Sequence, residues 1–588
     1  MRKHSVWIRA GVLVAAGGLV LAACGGGDDE GGGTGGSTPG AVEIPTTTDQ
    51  LFYPSDKKGG TLKALSGSDC DSWDPARTYY ATCWDQQRWI SRSLLNYKQA
   101  PNSAELVPDL ATEVPTSPDG GKTWTYTLKD GIKFEDGSPI TSKDIKYGIE
   151  RVFATDIING GPTYVIDYLQ TEPAYEGPYK DPSPDKLGLT SIETPDDKTL
   201  IFHLNKPFND WNFIMASPSA TPVPQAKDTG DQYTAHPVAS GPYKFDKYVP
   251  NQSLTLVRND QWDPATDEVN KALPDSIEIT MGLEAADIDN RILNGDADIF
   301  LDQTGVDTAL RTQLLSDPEL RKARTTVDLS GFLRYMSVTT TVKPFDNIHC
   351  RNAVAYAVNK QAQVLARGGP TAGAPAPTML PPTVAYYADF DLFPTPNSAG
   401  DIEKAKAELE ACGQPDGFST KLTARGNRPA EVAQATAIQS DLKKIGINVT
   451  IEKFDSSQYF SAVLGIPKNM QDKGYGLAMT GWGADWPSPY GFFSSIVDGR
   501  KILDQGNSNY AELNDPVVNK GIDDGLAATE DGAAQTAWTT VDKGVVQSAA
   551  YIPLIYDKAM NIYSDRITNV FFTPGFNMVN FAALGVVR

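Results

Sequence analysis

Residues 429–451 constrain the fold more than any other part of this chain. Pro429 stands near a helix start, Gly446 follows its end, and 447–451 is a β-branched run. A helix feeding directly into such a strand belongs to an α/β layer with parallel pairing. Similar signals recur. Residues 124–128 and 200–204 alternate at period two, and 253–257 and 277–280 add further strand segments. Thr141 reads as the N-cap of a helix to about Phe153, with Asp144 in its first turn. Helices are also expected at 351–366, stopping near Gly368-Gly369-Pro370, and at 402–411, between Asp401 and Gly413. With 588 residues, 40% of them hydrophobic, the chain can bury a large core.

The N-terminus reads differently. Arg2, Lys3 and Arg9 precede or open an apolar run at 10–21, shorter than the roughly 20 residues a bilayer requires. A basic start, a short apolar stretch and small residues describe an export signal at 1–23. Residues 24–58 follow as a tether. Within it, 25–40 is Gly-rich, carries Asp28, Asp29 and Glu30, and has no large apolar side chain. Such a chain spans roughly 30 Å. Leu21-Ala22-Ala23-Cys24-Gly25 resembles the bacterial lipobox, which implies acylation of Cys24. Stable anchoring takes more than one acyl chain, so the resemblance implies a multiply acylated cysteine.

That assignment gives the odd one of five cysteines a role. Cys70, Cys83, Cys350 and Cys412 remain, and outside the cytoplasm they can oxidise. Of the three pairings open to four cysteines, the simplest is Cys70–Cys83 with Cys350–Cys412. Free buried thiols are the alternative. The net charge of −21 argues against nucleic acid as a partner, because phosphate binding is driven by cationic side chains. It argues equally against a basic patch for anionic lipid.

A motif scan names no catalytic residue and no cofactor or metal. Gly120-Gly121-Lys122-Thr123 has Thr116 where a phosphate loop needs glycine, and reads as a polar turn. Asp69, Asp71 and Asp74 lack calcium-loop spacing. His4, His203, His236 and His349 are scattered.

Seven segments in order carry a resemblance over about residue 60 to the C-terminus. They are Gly59-Gly60-Thr61-Leu62 with Trp73-Asp74-Pro75, Phe134 to Asp144, Ala239 to Tyr243, Asn294 to Ile299, Cys350 to Ala357, Ser440 to Ile447, and Gly481-Trp482-Gly483-Ala484-Asp485-Trp486. Together they resemble the family-5 extracellular solute-binding proteins of ABC importers, the oligopeptide/dipeptide-binding group. The resemblance implies an α/β, two-lobed periplasmic-binding-protein-like fold (type II, cluster C) with an extra subdomain on the first lobe. Lobe I would comprise 59–105, 190–328 and 549–588, its subdomain 106–189, and lobe II 329–548. The chain would cross between lobes near 328 and 549, at a hinge.

The resemblance also implies a site. In peptide-binding relatives the segment matching 481–486 pairs with an extended ligand, and its aspartate holds the ligand's α-ammonium. Asp485 is therefore the expected anchor, with a hinge or cap role as the alternative. Gly481 and Gly483 would let a ligand backbone approach. Trp482 and Trp486 would wall side-chain pockets or pack in the lobe, and Tyr79 and Tyr80 would meet the ligand's other edge. Some relatives place an arginine where Met479 stands, near the ligand's C-terminus. The departure leaves open how a ligand carboxylate is held. The expected protein is a lipid-anchored monomer on the extracellular face of a Gram-positive cytoplasmic membrane. It would bind a peptide or other small solute and engage ABC permease subunits. An oligosaccharide binder on the same scaffold, an exported hydrolase and an adhesion module are the alternatives.

Overall fold

The computed structural model describes residues 51–528 and 530–587. The signal at 1–23, Cys24 and the tether to residue 50 lie outside the described residues. Residues 51–58, expected in the tether, are already fastened to the body. Phe52 and Val570 exchange backbone hydrogen bonds, and the Ser55 hydroxyl donates to the Val587 carbonyl at 2.7 Å.

Two mixed sheets organise the molecule. The first has five strands, in the order Ile299–Phe300, Thr61–Leu65, Ser276–Thr280, Ser253–Arg258, Tyr243–Val249. Thr61–Leu65 runs parallel to both its neighbours, and the last three strands meander antiparallel. The second has six strands, in the order Gly373–Pro375, Tyr551–Ile562, Thr325–Val338, Leu477–Trp482, Ser419–Arg425, Asn448–Phe454. The helix expected after residue 429 is Pro429–Lys443, and the strand that follows pairs parallel with Ser419–Arg425.

Helix Ser142–Arg151 starts where expected: the Asp144 carboxylate accepts both the Thr141 backbone N–H at 2.8 Å and its hydroxyl at 2.7 Å. The single helix expected at 351–366 is instead two, Ile348–Ala357 and Lys360–Arg367. Asn359 breaks it, its side chain capping the Ala362 N–H and its backbone N–H donating to Asp441. The expected subdomain extends past residue 189, because strands Ile192–Glu193 and Thr199–His203 complete a three-stranded sheet with Thr123–Thr127.

Strands Thr325–Val338 and Tyr551–Ile562 connect the two lobes. At one end, Met560 and Ile562 pack with Leu65, Ile288, Ile292 and Phe300 of the first lobe. At the other, Met336, Val338, Ile552, Leu554 and Ile555 lie in the core of the second. Between these ends the pairing shifts register at Leu329/Leu333, and Gly331 there adopts φ +68°. The first of these strands, Thr325–Val338, spans the expected crossing position near 328. The second falls beyond 549, since Tyr551–Ile562 starts inside the second lobe's sheet.

Cys70 is bonded to Cys83 and Cys350 to Cys412, with Cα–Cα distances of 5.6 and 5.2 Å. Each bridge is local to one lobe. Among the described residues, no helix is long and apolar enough to cross a membrane.

Candidate functional site

Asp485 lies between the second lobe's strand Leu477–Trp482 and helix Pro489–Phe493. Three hydrogen bonds fix this loop. The Asp485 N–H donates to the Gly491 carbonyl at 2.9 Å, the Asn577 amide donates to the Ala484 carbonyl at 2.9 Å, and Ser488 caps the helix through the Gly491 N–H. The carboxylate is thereby directed at two tyrosines from the other side of the molecule. Tyr79 donates its hydroxyl to Asp485 Oδ2 at 3.1 Å, and Tyr164 donates to the same oxygen. The two phenols and the Ser495 hydroxyl form one cluster, with Tyr164 at 2.8 Å from Ser495.

Each tyrosine is held in turn. Asp71 accepts the Tyr79 backbone N–H at 2.8 Å, and the Tyr79 ring lies between Trp84 and Trp482. Tyr164 begins helix Tyr164–Leu169, and its ring meets Trp486 edge-on at 4.7 Å. The acidic residues 69, 71 and 74 therefore serve structure: Asp74 pairs with buried Arg151 at 2.6 Å, while Asp69 takes the Trp73 indole N–H and the Tyr248 hydroxyl.

Burial pushes the Asp485 carboxyl up to about 7, against the hydrogen bonds from Tyr164 and Tyr79 and the charge of Lys501. Burial and the neighbouring Asp485 hold both phenols well above their ordinary value, so they stay donors. Lys501 itself is paired with Asp167 at 2.6 Å. Among the described residues Asp485 makes no ion pair. It is a largely desolvated carboxylate, met by neutral donors and lacking a cation.

The other expected residues divide. Tyr79 joins Asp485, whereas Tyr80 faces a separate cavity of about 100 Å³. Trp482 packs on Tyr79, and among the described residues its buried indole N–H has no hydrogen-bond partner. Trp486, expected to wall a pocket or pack in the lobe, is 2% exposed, donates its indole N–H to Asp210 and packs against Tyr164. At the two glycines, a Cβ on Gly481 would stand 2.7 Å from Arg334 Nη1, and one on Gly483 would stand 3.0 Å from the Phe332 ring.

Sequence reading missed Tyr164, Ser495 and Arg334. Arg334 lies directly across from Gly481 in the neighbouring strand, while Met479 is buried opposite Met336. The only local signal was an arginine inside the apolar run Phe332 to Val338. Asp557 accepts from both Arg334 and Arg367, at 2.6–2.9 Å. Among the described residues, no group of side chains is arranged to hold a metal.

Two lobes joined by a pair of crossing strands, with a desolvated carboxylate between them, are the architecture of a two-lobed solute binder. The family model described as bacterial extracellular solute-binding proteins, family 5 Middle, matches residues 105–503, and the chain belongs to this family. Its members bind solutes and are not enzymes. The chain is 26% identical over 499 residues to the glutathione-binding protein GsiB of Salmonella paratyphi A, covering 80% of this chain and 84% of that protein. The solved clavulanic acid biosynthesis oligopeptide binding protein 2 superposes with TM-score 0.86 at 39% identity, over 93% of this chain and 98% of that one. The Escherichia coli murein tripeptide binding protein MppA shares the fold, with TM-score 0.74 at 19% identity over 91% of this chain and 100% of that one.

Proposed function

We propose that the protein captures peptides between its lobes and holds the ligand's α-ammonium on Asp485. The observation that carries this reading is the buried Asp485 carboxylate, met by the hydroxyls of Tyr79 and Tyr164 and, among the described residues, making no ion pair. A buried charge requires a partner of opposite sign. An α-ammonium entering beside Asp485 completes the set: one cation, one carboxylate and neutral donors around them. The names of an oligopeptide binder, a tripeptide binder and a glutathione binder among the relatives agree with this chemistry.

Ligand binding between lobes favours their closure, because the ligand then touches both. The register shift near Gly331 is where the crossing strands would bend. In the complete cycle the closed, loaded form delivers its peptide to the permease subunits of an ABC importer. Cys24, acylated after export, would hold the monomer on the outer face of the cytoplasmic membrane of a Gram-positive cell. The proposed domains are 59–105, about 204–325 and the residues after 562 for the first lobe, 106 to about 203 for its subdomain, and the residues between the crossing strands Thr325–Val338 and Tyr551–Ile562 for the second lobe.

Native mass spectrometry of the purified protein tests the ligand class. Release of peptides, identified by their fragment spectra, is the expected result. Release of oligosaccharide alone would overturn it.

A further inference from the structure

Helix Tyr164–Leu169 belongs to the subdomain and is fastened there. The Asn205 N–H donates to the Tyr168 carbonyl at 2.9 Å, the Ser191 hydroxyl donates to the Leu169 carbonyl at 2.6 Å, and the Tyr168 ring stacks on Phe208 at 4.2 Å. Residues 164, 167 and 168 stand at i, i+3 and i+4, so they share one face of the helix. Each of the three reaches across to the second lobe. Tyr164 donates to Asp485, Asp167 accepts from Lys501 at 2.6 Å, and Tyr168 donates to the Tyr490 hydroxyl at 2.8 Å. Beside the helix, Asp210 accepts the Trp486 indole N–H at 2.9 Å and the Ser488 hydroxyl at 2.5 Å.

The receiving segment is anchored in the second lobe. Tyr551, which opens the second crossing strand, donates its hydroxyl to the Ile496 carbonyl, and the Gly499 N–H donates to Asn519 at 3.0 Å. Lys501 lies over the rings of Tyr164 and Tyr490, with Nζ 5.6 and 5.3 Å from their centroids. The side chains of its ion pair are mostly buried, Lys501 at 18% and Asp167 at 22% exposure, so water and salt screen this pair less than an exposed one.

Of these contacts, only that of Tyr164 involves Asp485. The others join protein groups to protein groups, and none needs a ligand. Parting the lobes breaks them together: an ion pair, a phenol pair and both donors to Asp210. Among the described residues, the Asp210 carboxylate accepts from the second lobe alone. Contacts that exist only with the lobes together favour that state over the open one by their net worth, whatever else is bound.

We propose that helix Tyr164–Leu169 is an interlobe latch: through Asp167, Tyr168 and their partners the subdomain holds the second lobe shut, and the closed form dominates before any solute binds. Entry and release then both wait on transient opening. The proposal goes beyond the peptide reading and does not depend on it, because the latch residues pair with one another rather than with a ligand.

The test adds no ligand. Spin labels are placed on Lys143→Cys of the subdomain and Lys520→Cys of the second lobe, both exposed. Bound solute is removed from the labelled protein by guanidinium chloride and dialysis, and double electron–electron resonance reads the distance between the labels. A dominant population at the closed-lobe separation is the expected result. Asp167→Asn, Tyr168→Phe and Lys501→Met combined are expected to lower the ratio of closed to open protein at least about tenfold. Asp167→Asn and Lys501→Met together are expected to shift it by less than the product of their separate shifts, since either one alone breaks the pair. A ligand-free protein that is mainly open would overturn the latch, and so would an unchanged distance distribution in the triple variant. Independent, multiplying effects of Asp167→Asn and Lys501→Met would overturn the assignment of the ion pair.

Discussion

Asp485→Asn is expected to weaken peptide binding by at least about thirtyfold while making the unliganded protein more stable at pH 8. The first effect follows from the pairing. Truncating one partner of a buried, hydrogen-bonded charge pair costs about 2–5 kcal/mol, and 2 kcal/mol is about thirtyfold in Kd. Asparagine still accepts from Tyr79 and Tyr164, so the geometry of the site survives and the loss is one of charge. The second effect has the opposite sign for a physical reason. Burial raises the Asp485 carboxyl to about 7 in the folded protein, above the roughly 3.9 of an unfolded aspartate. Between those values the folded chain holds a proton that the unfolded chain has released. Stability therefore falls as pH rises through this window, and above 7 the full cost of ionising the buried group is present. Asparagine removes that cost, so its gain in melting temperature is large at pH 8 and vanishes below pH 4. A purely structural aspartate would behave in reverse, losing stability on substitution at pH 8. Isothermal titration with a co-purified peptide and thermal melts at both pH values read the two effects separately.

Asp557→Ala is expected to destabilise the protein by about 3–5 kcal/mol, the cost of leaving buried charges unpaired. Asp557 is 4% exposed and is the carboxylate shared by Arg334 and Arg367. Burial alone would raise its pKa, but the two arginines outweigh that and hold it below the ordinary carboxylate range. Burial pushes Arg334 down to about 10, with Asp557 opposing, so Arg334 keeps its charge at neutral pH. Removing the carboxylate sets two like charges against each other beside the crossing strands. Urea denaturation of the variant measures the loss. A change below about 1 kcal/mol, the range of exposed pairs, would show that solvent already screens this cluster.

How much of this was legible in the sequence depends on the range of the interaction. The unit Pro429–Lys443 followed by Asn448–Phe454 was readable because its signals are local: a proline, a glycine and a β-branched run. The helix break at Asn359 was not, because Asp441, far along the chain, holds its backbone N–H. Asp485 was readable from the ordered motif around it, and Tyr79 from its place after Asp74-Pro75. Tyr164 carries no local signal, and only folding brings its hydroxyl to Asp485. The glycines at 481 and 483 were visible as positions without side chains. What fills them, Arg334 and Phe332, is set by pairing with a neighbouring strand. The arginine nearest Gly481, Arg334, likewise comes across the sheet rather than along the strand, and Asp557 holds its guanidinium.

The central claim is that Asp485 holds the α-ammonium of a peptide. The most direct test compares one bound peptide with its N-acetylated form by isothermal titration, in the wild type and in Asp485→Ala. The account predicts that acetylation weakens binding to the wild type by at least about thirtyfold, and that the variant binds both forms alike. Equal affinity of the wild type for the free and acetylated peptides would contradict it.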